Sequence, residues 1–133
     1  MTVPPELMPV LVEALLERLG DAAVAFEALG FDPDGYPEPL ERFDTFRQAL
    51  DAAGWGATAS IDLDAHGDAI GAALAERLRA ERHAVAEGRE SIEQGHQGGE
   101  TQVARARRHT QMIETFMRDA GLAIPPGGGE QDG

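Results

Sequence analysis

Chemistry in this chain would have to come from carboxylates and a few histidines. Asp32, Asp34, Gly35 and Glu41 fall within residues 30–41 at the spacing with which an EF-hand loop places its third and fifth ligands, its turn glycine and its bidentate glutamate. Gly30 occupies the first ligand position, however, and Pro37 has no N–H to donate to the loop. Asp-Pro-Asp-Gly is also a strong turn sequence in its own right. The expectation is a turn, with a weak calcium site at Asp32–Glu41 as the alternative. The stretch from Asp62 to Asp68 begins in a similar way, but Ala73 stands at the closing ligand position, so helix capping explains it better.

The histidines are scattered. Glu93 and His96 make a single Glu-x-x-His pair, whereas a di-iron bundle needs two such pairs and two further glutamates, and Gly95 interrupts the helix that would carry this one. His83 and Glu87 lie one helical turn apart and could pair electrostatically, as residues on solvated helix faces do. Nucleophiles are scarcer still. Ser60 and Ser91 are the only serines, and neither lies in a Gly-x-Ser-x-Gly elbow. No Gly-x-Gly-x-x-Gly follows a strand. Cysteine is absent and every one of the 11 basic residues is arginine. That excludes disulfides, thiolate nucleophiles and thiolate metal sites, and also Schiff-base and P-loop lysine chemistry. The reading weighs against an enzyme and assigns no catalytic residue, no metal and no cofactor.

These residues must be carried by helices. The chain has 133 residues, is 42% hydrophobic and only 5% aromatic, so its core is expected from Leu, Ala, Val, Ile and Met. One domain, residues 1–124, suits this length. Met8, Val12, Leu15, Leu19, Ala22, Phe26 and Leu29 alternate at steps of four and three and predict one long helix over 7–29, running through Gly20. The alternative is two helices with Gly20 as a C-cap. Its other face, Val10, Ala14, Glu17, Asp21, Val24 and Ala28, is only partly polar, as in a helix that is central or at a subunit interface. Gly30, Gly54 and Gly121, each followed by an apolar residue, predict three helix stops. Pro39 opens a second helix with a stripe of Leu40, Phe43, Phe46, Leu50 and Ala53. A third is expected over 65–94, capped by Asp64, with Ile70, Leu74, Leu78, Val85 and Ile92 inward. A fourth is expected over 100–120, with Val103, Ala106, Thr110, Ile113, Met117 and Ala120 inward.

Between helices two and three the period changes. Trp55, Ala57, Ala59, Ile61 and Leu63 alternate with small or polar residues, which predicts a short strand over about 56–63. A lone strand must find a partner for its backbone. The choices are Leu122-Ala123-Ile124, the same segment of a second subunit, or solvent. From Pro125 the chain is Pro/Gly-rich and polar, and a disordered tail over 125–133 is expected.

The fold class expected is all-α, an irregular three- to four-helix bundle with one short β-strand. Net charge is −13, of which residues 1–70 carry −11 and residues 71–133 carry −2. This field opposes a nucleic-acid partner, and no apolar run is long enough for a membrane span. Residues 1–6 lack the positive region of a signal peptide, and the composition fits a bacterial cytoplasm. The functional expectation is a non-enzymatic interaction protein, a homodimer or an accessory subunit. Candidate contact residues are Val10, Val24, Trp55, Ile61, Leu63, Met112 and Phe116, with Arg105 and Arg108 of the basic cluster at Arg105–His109 as a site for an acidic partner, including the acidic half of another copy. Leu15, Leu19, Phe26, Phe43, Phe46, Trp55, Ile113 and Phe116 are expected to hold the structure. Two alternatives are a helical bundle with a ligand-binding or catalytic carboxylate-lined cavity, and an acidic mimic of nucleic acid.

Overall fold

The computed structural model describes residues 2–28, 37–54, 61–95 and 97–126, without the side chains of Phe26 and residues 37–43. Within these the protein is all-helical: α1 (Met8–Ala28), α2 (Pro37–Ala52), α3 (Leu63–Glu93) and α4 (Gly99–Ala120). The chain divides into two compact units, residues 1–73 and 74–133, and α3 runs through the division.

In the first unit α1 and α2 pack along each other. The chain enters α1 through a turn in which the N–H groups of Leu7 and Met8 both donate to the Pro4 carbonyl. Pro9 then sits in the first turn, where its missing N–H costs nothing. The helix passes through Gly20 unbroken, as its apolar register predicts. Near its start Met8, Val10, Leu11, Ala14 and Leu15 are buried along one broad side, while Pro9 and Glu13 are exposed. Farther along Ala22 is buried, and Glu17, Asp21 and Val24 face solvent. Of the second face anticipated for this helix, Val10 and Ala14 are therefore buried, while Glu17, Asp21, Val24 and Ala28 are exposed.

α2 begins at Pro37, two residues before the expected start, since proline at a first helical position is already set near the helical φ. Ala49, Leu50 and Ala53 complete its buried side, and Gly54 adopts φ 57°, the left-handed turn expected there. The stop at Gly30 and the calcium-like loop lie outside the described residues or their side chains.

The strand over 56–63 needs correction at its end. Residues 56–60, like Trp55, lie outside the described residues. Ile61 and Asp62 are irregular, and Leu63 already belongs to α3. The cause is a cap. Asp62 Oδ1 accepts the Asp64 N–H at 3.0 Å, and the Asp62 carbonyl accepts the His66 N–H at 3.0 Å, so the helix starts two residues earlier than expected. Asp62, not Asp64, is the cap. Asp64 instead lies in the first turn, where a carboxylate meets the positive end of the helix dipole. Leu122, Ala123 and Ile124 are irregular too, so among the described residues no strand forms.

The second unit is built on α3 and α4 paired as an antiparallel hairpin. Gly88 faces Val103 and Gly99, Ile92 faces Gly99, and Glu81 faces His109, so positions descending one helix meet positions ascending the other. Leu74 and Leu78 on α3 and Val103, Ala106, Ile113, Phe116 and Met117 on α4 are buried. α3's apolar stripe thins as expected, with Val85 half-buried and Ile92 41% exposed. At the end of α4, Gly121 is left-handed (φ 72°, ψ 22°). Its N–H reaches the Arg118 carbonyl at 3.2 Å and the Leu122 N–H reaches Met117 at 2.8 Å, the paired bonds of a Schellman stop.

The expected tail also needs correction at its first two residues. Pro125 is buried, and Arg82 Nη1 donates to the carbonyls of Pro125 and Pro126 at 3.0 and 2.9 Å. A guanidinium from α3 holds the chain here, and composition alone does not show it. Residues 127–133 lie outside the description.

Candidate functional site

The most chemically provided place in the second unit is the contact edge of α3 and α4. Glu81, a buried acid, occupies a position on the inward face of α3. Its Oε2 accepts from Arg77 Nε at 3.3 Å and from His109 Nδ1 at 2.7 Å. A carboxylate on Nδ1 fixes an imidazole's orientation, as an acid–base histidine requires. Here the same oxygen is shared with a guanidinium, however, and the residues concerned border no described cavity. The triad neutralises a buried carboxylate and ties two helices. Arg82 makes a second tie through Nη2 to Glu114 Oε2 at 2.8 Å. Thr110 Oγ1 is buried without a hydrogen-bond partner among the described residues.

An open hollow of about 450 Å³ is bordered by Arg79, Arg82, His83 and Pro126. Its arginines are engaged, Arg79 with Glu76 and Arg82 with Glu114 and two carbonyls, and His83 Nε2 lies 3.6 Å from Glu87 Oε1. Among the described residues no three metal-ligating side chains converge, and no helix is long and apolar enough to cross a membrane. His96 and Trp55 are outside the described residues.

Contact surfaces are better provided than chemistry. On α1, Leu16, Gly20 and Val24 follow one another at four-residue steps and so share one face. Leu16 is 41% and Val24 66% exposed, and a Cβ placed on Gly20 would meet nothing within 4 Å. The result is a shallow notch between two exposed apolar side chains. Glu13, Glu17 and Glu27 are exposed beside it. On α4, Arg105 and Arg108 are exposed and Met112 half-buried, at steps of three and four along one face. Arg105, Arg107 and Arg108 form no ion pair among the described residues, whereas Arg18, Arg47, Arg77, Arg79 and Arg82 all do.

The candidates named from sequence therefore separate. Val24, Arg105 and Arg108 are exposed, and Met112 and Leu63 are half-buried. Val10, Ile61 and Phe116 are 5%, 2% and 3% exposed, so they lie in the chain's own core, as expected for Phe116 in its structural role. Sequence reading missed Leu16, because the expected apolar register placed attention on Leu15 and Leu19. It also missed Glu81 with His109, since no local spacing links residues 28 apart.

Compared with protein-family models, with curated proteins and with solved structures, the chain matches none.

Proposed function

We propose that this chain is a non-enzymatic helical interaction protein whose work is done by contact, first of all with another copy of itself. One observation carries the reading: the exposed Leu16–Gly20–Val24 face of α1. Exposed apolar side chains scattered singly need no explanation, but two in register around an open notch form a surface that burial would stabilise. The state of the polar groups agrees, because the buried carboxylate and the cations around the open hollow are engaged within the chain. The protein works in the bacterial cytoplasm as a homodimer or as an accessory subunit.

The test is the double variant Leu16→Glu/Val24→Glu, compared with the native chain by sedimentation velocity at high micromolar concentration. Both positions are solvent-facing, so circular dichroism should report unchanged helix. The native chain is expected to associate and the variant to sediment as a monomer. A native chain that is monomeric throughout, or a variant that associates equally well, overturns the reading.

A further inference from the structure

We infer that the surface that covers the α1 notch is the cationic face of α4 from a second copy. The inference rests on the self-association proposed above and names its two halves.

Charge complementarity carries it. Exposed Glu13, Glu17 and Glu27 surround the notch on α1, in the half of the chain that holds −11 of the −13 net charge. A contact of α1 with α1 of another copy would bring these acids together. The α4 face is opposite in sign, and its Arg105 and Arg108 make no ion pair among the described residues. Shape and spacing agree with charge. Gly20 leaves open space where a side chain would stand, and Met112 is a half-buried thioether of the adaptable kind that fills such gaps. With the helices parallel and Met112 set over Gly20, Arg108 falls level with Leu16 and Glu17. Arg105 then falls level with Glu13, because both intervals, 13 to 20 and 105 to 112, are seven residues. Leu16 and Val24 flank the thioether, the guanidiniums meet the carboxylates at one end of the contact, and at the other end Asp119 falls level with Glu27.

The experiment is a complementation. One variant, Arg105→Glu/Arg108→Glu, reverses α4; the other, Glu13→Arg/Glu17→Arg, reverses α1. Each alone should associate at least about tenfold more weakly than the native chain, more so than screening by salt produces. Mixed in equal amounts they should recover a heteromeric complex, because each reversed face then finds a complementary one. Multi-angle light scattering reads the mass, and circular dichroism checks that each variant is folded. Recovery on mixing is a gain of association and cannot come from misfolding. If the native chain associates and the α4-reversed variant associates as tightly, or if mixing restores nothing, the α1–α4 contact is overturned while self-association stands. A native chain that never associates removes both.

Discussion

A Cβ on Gly99 would stand 2.9 Å from the backbone oxygen of Gly88, across the α3–α4 contact. That distance is below what real Cβ atoms adopt, and the obstacle is main chain. It also meets Ile92 Cγ1 at 2.9 Å. The hairpin of the second unit is therefore closed by the absence of two side chains, which lets the helices approach where α4 begins.

Gly99→Ala is expected to destabilise the protein by about 1–3 kcal/mol, the usual cost of overpacking a close contact. Gly88→Ala should destabilise as well, because its Cβ meets Val103 Cγ2 at 2.5 Å and, on the main chain, the Gly99 oxygen at 3.2 Å and the Val103 nitrogen at 3.3 Å, against which alanine returns about 1 kcal/mol of helix propensity. Urea unfolding midpoints check both variants. A Gly99→Ala variant as stable as the native protein would refute the close packing.

Gly20→Ala should act in the opposite direction. The position is mid-helix with open space around it, so the substitution is expected to stabilise α1 by up to about 1 kcal/mol. Thermal unfolding measures it, and a loss of stability would mean that the notch is already filled within the chain.

Glu81 and His109 should be energetically coupled. Removing the carboxylate in Glu81→Ala takes away the oxygen that Arg77 and His109 share and is expected to cost about 1–3 kcal/mol. A double-mutant cycle with His109→Ala should return an interaction of about 0.5–3 kcal/mol, and strict additivity would show that the 2.7 Å contact contributes nothing.

Arg82→Lys should release the chain after α4 while keeping the charge. A lysine has one ammonium in place of the fork that reaches Glu114 and the carbonyls of Pro125 and Pro126. Faster amide exchange at Ala123 and Ile124, with the middle of α4 unchanged, is the expected readout.

How far the sequence disclosed this fold depends on how local each signal is. The helix through Gly20, the stops at Gly54 and Gly121 and the buried line Val103, Ala106, Ile113 and Met117 are set by neighbours three or four residues apart, and they are read directly. The early start of α3 was hidden because Asp62 and Asp64 are chemically equal as caps, and only the backbone geometry chooses between them. Val10 is buried and Leu16 exposed because the inward side of α1 is centred on Leu11, Ala14 and Leu15. Periodicity gives a helix two partly apolar faces, and the fold decides which of them turns inward. Glu81–His109, Gly88–Gly99 and Arg82–Pro125 join residues 11 to 43 positions apart, beyond any spacing rule. The contact surface was half legible: Val24 and the arginines were visible as types, but their exposure belongs to the fold.

The central claim, that this chain acts through a self-complementary surface, is tested most directly by the mass of the native protein in light scattering at rising concentration. The account predicts a concentration-dependent approach to roughly twice 14.2 kDa in the micromolar range, reversed by salt. A mass that stays at 14.2 kDa to high micromolar concentration at low salt would contradict it.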